Sequence, residues 1–204
     1  MKQIFQKIYD ENLWRGSESR SGPGSSRQAT KSICDKLPLL IDSLSISSIL
    51  DIPCGDFNWI LQVLEKASIN YIGGDIVEAL VKQNTIVHSN YKFEVLDITS
   101  SSLPSADLLL MRDLLVHFSY NDILKAFANI TRSHYKYVLM THFTGPWQFR
   151  NCPTGQWYPV NFQSPPFKFS EPHTFVFENN EAYPDKTLSL WLWKDLCQSL
   201  ENLK

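Results

Sequence analysis

Four aspartates stand where apolar runs stop: Asp51 after SSIL, Asp75 after YIGG, Asp97 after FEVL and Asp113 just after LLLMR. One such residue would be an ordinary helix cap. Four at equivalent places describe a crevice at the carboxyl ends of parallel strands, where doubly wound sheets bind their ligands. Asp75 lies 24 positions (75 − 51) after Asp51, close to the roughly 20-residue interval at which a carboxylate can hold ribose hydroxyls. Two histidines close later apolar runs, His117 in RDLLVH and His142 in VLMTH. Near its ordinary pKa of about 6.5 a histidine can take a proton from a reacting hydroxyl. His117 reads either as such a base or as a residue that packs at a helix start, and His142 is a second candidate. His88, His134 and His173 read as surface or structural residues.

The elements that must position these groups alternate. Strands are expected at 47–52, 70–75, 91–96, 106–111 and 136–142, with helices at 57–67, 77–84 and 120–132. That rhythm predicts a parallel sheet with helices on both faces. Ahead of it come an amphipathic helix over 2–14, a Gly/Ser-rich loop at 16–26 and a helix over 27–44 interrupted at Pro38. Residues 145–175 carry Trp147, Trp157, Tyr158, Phe162 and Phe167 without a helical period, as a binding loop or lid does. HTFVFEN (173–179) and KTLSLWLWKDL (186–196) alternate strongly and predict a terminal antiparallel strand pair.

Composition narrows the function. At 204 residues and 43% hydrophobic content the chain is expected to form one domain with a full core. It divides into an N-terminal arm (1–45), a core (46–143) and a segment of loop and terminal strands (144–204). The net charge of −2 offers no global field for nucleic acid. Residues 1–31 are locally basic, with six lysines and arginines against three acidic side chains, enough to receive an anionic group or simply to form a solvated face. Cys34, Cys54, Cys152 and Cys197 form no CxxC pair, so neither a zinc site nor any other metal is expected. With no apolar leader and no run long enough to span a bilayer, the expected setting is the cytoplasm.

Gly55 stands alone in the turn PCGD, where a dinucleotide site would carry GxGxxG. Here the chain resembles the class I S-adenosylmethionine-dependent methyltransferases. LDIPCGDFNW is similar to their first motif in its DxPCGD variant, YIGGDIV to the second, VLDIT to the third and ADLLLMRDLLVHFS to the fourth. KYVLMTHF resembles their fifth strand. The likeness covers residues 47–143. RDLLVHFS, W-x-P-x-N at 157–161, PPFKFSEP at 165–172 and SESRSGPGSS near the N-terminus resemble a bacterial subgroup that often accompanies surface-polysaccharide and nucleotide-sugar pathways. Pro53 and Phe57 depart from the wider family, which usually has glycine at both places.

The resemblance implies an α/β, Rossmann-like fold with a mostly parallel seven-stranded sheet. It implies S-adenosylmethionine as cofactor and no metal. Asp75 would hold the ribose hydroxyls with Ile76 against the adenine, and Asp97 and Ile98 would meet the adenine edge and face. Pro53 and Gly55 would lie beside the methionine portion with Arg112 nearby, while Asp51 orders the turn. His117, with Asp113, is the candidate catalytic pair. His142, Asn151, Trp157 and Asn161 are candidates for the acceptor side. The expected reaction is O-methylation of a small polar acceptor such as a sugar or nucleotide sugar, with no nucleic-acid partner. Methylation of a protein side chain and cofactor binding without catalysis stand as alternatives.

Overall fold

The computed structural model describes residues 1–203. Leu108–Met111 is apolar and buried at every position, as a strand covered on both faces must be. This strand, β4, belongs to a sheet that also contains β1 (Ser48–Asp51), β2 (Asn70–Asp75), β3 (Lys92–Val95), β5 (Tyr137–Phe143), β6 (Thr174–Phe177) and β7 (Lys186–Leu192). The order is β3-β2-β1-β4-β5-β7-β6. The first five strands are parallel, and β7 runs antiparallel to both β5 and β6. The expected fold class is the observed one. Strand order reverses between β1 and β4, so a crevice opens there at the carboxyl ends.

Six helices accompany the sheet: α1 (Lys2–Asp10), α2 (Arg27–Ser43), α3 (Leu61–Leu64), α4 (Glu78–Val87), α5 (Tyr120–Ile130) and α6 (Trp193–Glu201). Side chains of successive strand residues divide between two cores, following the period of two. Leu109, Met111, Val138, Met140 and Trp191 pack with α5, α6 and the aromatic residues Phe162, Phe167 and Phe169. Ile49, Leu108, Leu110 and Leu139 pack with α2, Ile60 and Phe57 on the other face. Among the described residues no helix is long and apolar enough to cross a membrane.

Several boundaries differ from the sequence expectation, each for a local reason. The alternation after Lys186 stops at Leu192, and Trp193 opens α6 rather than continuing the strand. Trp193, Leu196 and Leu200 already carried a helical spacing. Helix α1 ends at Asp10 because Asn12 and Arg15 take left-handed backbone conformations. The helix expected over 57–67 shrinks to Leu61–Leu64, preceded by turns. Pro38, expected to interrupt α2, lies inside it. Proline cannot donate to the carbonyl four residues earlier, and the Lys66 Nζ donates to that oxygen, Cys34 O, at 3.0 Å instead.

Asp51 closes β1 beneath the crevice and is almost wholly buried. Its Oδ2 accepts from the Tyr71 hydroxyl at 2.7 Å, and its Oδ1 has no partner. Burial pushes the Asp51 pKa up to about 7, against the lowering effect of the Tyr71 bond. A carboxyl raised in the folded state contributes its full stability below its unfolded pKa near 4 and loses it as pH rises through 7. Asp51→Asn is therefore expected to gain stability relative to wild type as pH goes from 5 to 8, by at most about 3 kcal/mol. Urea denaturation at both pH values measures this; a pH-independent difference would refute a buried titrating carboxyl.

Candidate active site

A cavity of about 950 Å³, counted out to its mouth, lies at the carboxyl ends of β1, β2, β3 and β4. One wall is the turn after β1. Gly55 takes φ +55° there, and a Cβ on it would stand 2.3 Å from the Ser21 Oγ, so only glycine fits both the backbone and the space. The amides of this turn are already committed. Cys54 N–H donates to Gly74 O, Gly55 N–H to Asp75 Oδ2, Asp56 N–H to Ser21 Oγ and Phe57 N–H to Cys54 O. A phosphate cradle needs such amides free and converging. This turn has none of those four to offer.

Asp75 ends β2 at the cavity wall. Its two oxygens accept from the N–H groups of Gly55 (3.0 Å) and Val77 (2.9 Å). Burial raises its pKa to about 6 despite those bonds. Beside it Ile52, Ile76, Leu80, Leu96 and Ile98 form an apolar slot. A carboxylate at the edge of an apolar slot suits a flat heterocycle carrying hydroxyls on one side.

At the far side, Arg112 and Asp113 follow β4. Arg112 donates through Nε and Nη2 to both oxygens of Glu178 (3.2 and 2.7 Å) and through Nη2 to Gly24 O. Its Nη1 lies 3.4 Å from Asp113 Oδ2. Lys186 Nζ completes a buried quartet, 2.7 Å from Asp113 Oδ2 and 3.1 Å from Glu178 Oε2. Burial alone would raise the Asp113 pKa, but the Lys186 and Arg112 cations hold it well below the usual carboxylate range. Such a carboxylate is a poor proton acceptor. Asp113 is thus placed to fix charge and geometry rather than to act as a base.

His117 follows in a 3-10 turn, Leu115–His117. Its Nδ1 lies 3.0 Å from the Gln156 carbonyl oxygen, which can only accept, so Nδ1 carries the proton and Nε2 keeps its lone pair. Its ring stacks on Trp14 with centroids 4.7 Å apart. Burial lowers the His117 pKa below its ordinary value, although Asp113 pulls the other way. At neutral pH the ring is uncharged and basic at Nε2.

Of the residues singled out in the sequence, Pro53, Gly55, Asp75, Ile76, Ile98, Arg112, Asp113 and His117 line the cavity. Six do not. Asp51 lies beneath the turn. Asp97 spends Oδ1 on the N–H and hydroxyl of Thr99. His142 is fully buried, with Nδ1 accepting from Phe162 N–H; burial lowers its pKa to about 4. Asn161 bonds Gly145 O and accepts from Gln163 and Ser164 N–H groups. Asn151 accepts from Tyr120 N–H at the start of α5, and Trp157 packs against Phe143 and Tyr183. His142, Asn151, Trp157 and Asn161, the candidates for the acceptor side, therefore stand outside the cavity lining. The aromatic segment supports His117 from behind, with Gly155 N–H on His117 O and Tyr158 N–H on Val116 O. The missing wall comes from the N-terminal arm through Phe5, Tyr9, Trp14, Arg20 and Ser21.

No protein-family model matches the chain, and no curated protein sequence matches it either. Its likeness to known proteins is structural. A magnesium protoporphyrin IX methyltransferase (ChlM) from Synechocystis PCC 6803, solved with bound SAH, has a TM-score of 0.63 at 10% identity, over 93% of this chain and 98% of that one. Phosphoethanolamine N-methyltransferase 1 of Haemonchus contortus, in complex with phosphoethanolamine and S-adenosylhomocysteine, has a TM-score of 0.62 at 13% identity, over 100% of this chain and 53% of that one. The PH0226 protein from Pyrococcus horikoshii OT3 has a TM-score of 0.51 at 20% identity, over 65% of this chain and 61% of its own. The chain thus spans less than two thirds of the latter two. Its fold is that of the class I S-adenosylmethionine-dependent methyltransferases.

Removing one member of a buried charged cluster strands the others. Lys186→Met is expected to lower stability by about 3–5 kcal/mol, read from urea denaturation. A loss below about 1 kcal/mol would show that the quartet does not hold this side of the site.

Proposed function

We propose that the protein is an S-adenosylmethionine-dependent methyltransferase acting on an oxygen of a small polar acceptor. The observation that carries this reading is Asp75, a buried carboxylate at the edge of an apolar slot, beside a turn whose amides are spent. That arrangement suits an adenosine without a pyrophosphate. The fold supports it further, since two proteins that share it were solved with S-adenosylhomocysteine bound.

Asp75 would accept the ribose hydroxyls on the lone pairs left by its two backbone bonds. Ile76 and Ile98 would flank the adenine, and Pro53 and Gly55 would border the methionine portion. Arg112 spends Nε and Nη2 on Glu178 and Gly24 and would act from behind, its Nη1 fixing Asp113. When bound, the sulfonium supplies a methyl group that a nucleophile can take by in-line displacement. The walls contributed by the arm would hold the acceptor in line and keep water out. His117 Nε2 would take the hydroxyl proton as the new bond forms. An amine acceptor brings its own lone pair; a neutral, buried base favours oxygen as the methylated atom. Trp14 and Tyr9 offer flat apolar faces of the kind sugar rings stack on. With the sequence resemblance, they support a sugar or nucleotide-sugar hydroxyl in surface-glycan synthesis as the acceptor.

Asp75→Ala is expected to weaken S-adenosylhomocysteine binding by about 1.5–3 kcal/mol, the scale of hydrogen bonds to a charged group. Calorimetry giving equal affinity in wild type and variant would remove the ribose assignment.

The acceptor is found by screening nucleotide sugars for S-adenosylhomocysteine release. With a substrate in hand, His117→Ala is expected to lower turnover by about 10²–10⁴-fold with cofactor affinity kept. The neutral form of His117 is the active one, and its pKa lies below the ordinary value. Wild-type turnover should therefore rise with pH on the acid side and be level by about pH 7. Unchanged turnover in the variant would rule His117 out as the base.

A further inference from the structure

Among the described residues the charged side chains around the cavity are, with one exception, already paired or hydrogen-bonded. Arg112 and Asp113 belong to the quartet with Glu178 and Lys186. Asp75 accepts two backbone N–H groups. Asp56 accepts from the Ser19 hydroxyl at 2.9 Å, the Arg20 N–H at 2.8 Å and the Ser21 hydroxyl at 3.3 Å. The exception is the Arg20 guanidinium. It lines the cavity, and among the described residues its bonds are one donation from Nη1 to Tyr9 O at 3.2 Å and a position 5.8 Å over the Tyr9 ring. No carboxylate stands within ion-pair distance of it among the described residues. A guanidinium has five donors in a rigid fork, so most of its capacity is unused.

The side chain is nonetheless held in place. Asp56 fixes its backbone, the last carbonyl turn of α1 fixes one nitrogen, and the Tyr9 face supports its plane. The loop around it is tied to the core a second time by Asn58, which donates to Glu18 Oε1 at 2.8 Å and to Ser25 O at 3.0 Å. An arginine positioned by three contacts and lacking a counter-ion is a prepared receiver for a planar anion.

We infer that Arg20 receives an oxyanion of the bound ligand at the mouth of the cavity. Two sources share that chemistry. One is the carboxylate of the cofactor's methionine portion, an assignment that rests on the methyltransferase reading above. The other is a carboxylate or phosphate on the acceptor. Arg112, the arginine singled out beside the methionine portion from the sequence, spends Nε and Nη2 on Glu178 and Gly24 and turns Nη1 toward Asp113 at 3.4 Å. The local excess of basic residues in the arm thereby acquires a specific member with a specific task.

The test uses Arg20→Ala and Arg20→Lys, with calorimetric titration of S-adenosylhomocysteine, of 5′-methylthioadenosine, which lacks the carboxylate, and of inorganic phosphate. Arg20 is exposed, so an unchanged circular dichroism melt is expected and serves as the folding control. A loss of about tenfold or more for S-adenosylhomocysteine in Arg20→Ala, with 5′-methylthioadenosine unaffected and partial recovery in Arg20→Lys, assigns the cofactor carboxylate. Unchanged S-adenosylhomocysteine affinity, with wild-type binding of phosphate lost in Arg20→Ala, assigns the acceptor. Equal behaviour of wild type and Arg20→Ala toward all three overturns the inference. Failure of the wild type to bind S-adenosylhomocysteine would instead overturn the proposed function, and the phosphate titration would still report on Arg20.

Discussion

The buried quartet of Arg112, Asp113, Glu178 and Lys186 is the constraint on which the His117 side of the cavity depends. It joins four separate stretches: the end of β4, the segment after β6, the first residue of β7 and, through Gly24 O, the loop of the N-terminal arm. Two positive and two negative charges cancel, so the cluster can be buried without stranding any one of them. It also sets the path of the chain. Asp113 takes φ +50°, an uncommon conformation for a non-glycine residue. The Thr141 hydroxyl accepts its N–H at 2.7 Å, and Lys186 holds its carboxylate. The turn carrying His117 starts from this fixed point.

His117 is then held from two further sides. Behind it, the 153–158 stretch donates and accepts backbone bonds across the 115–118 turn, and Gln156 O fixes the tautomer. In front, Trp14 covers its ring. The aromatic segment, read from the sequence as a binding loop or lid, packs behind the His117 turn, and the arm lines the cavity.

The sheet was legible because its strands are nearly pure in apolar residues and end on aspartates, signals that depend on neighbours in the chain. One wall of the cavity was legible for the same reason: Gly55, Asp75, Ile76 and Ile98 lie within a few residues of strand ends. What sequence could not reveal depends on contacts between distant residues. Glu178 and Lys186 lie 66 and 73 positions from their partners Arg112 and Asp113. His142 stands at a strand end exactly as His117 stands near one, yet β7 and Phe162 cover it. A histidine's role is decided by what lies above it, and local pattern carries no record of that. The arm's order was hidden likewise. Its Ser19, Arg20 and Ser21 read as part of a Gly/Ser-rich loop, and only the fold brings up Asp56, the acceptor that orders them.

That order has a cost which bears on how the cavity fills. Between Asp10 and Arg27 the arm has no regular secondary structure beyond one short 3-10 turn, so each residue fixed there forfeits about 1–2 kcal/mol of backbone entropy. Against this stand the Asp56 and Glu18 bonds and the burial of Phe5 and Ile8 in the main core. Beneath it, β1, β2 and β4 each bond to two neighbouring strands and are mostly buried. Local opening is cheapest where buried apolar contacts are few and hydrogen bonds lie near solvent. The arm is that place in this molecule, and it also covers the site. Loosening its Asp56 contacts therefore disturbs the cavity wall, with Trp14 on His117 and Gly24 on Arg112, before it disturbs the sheet.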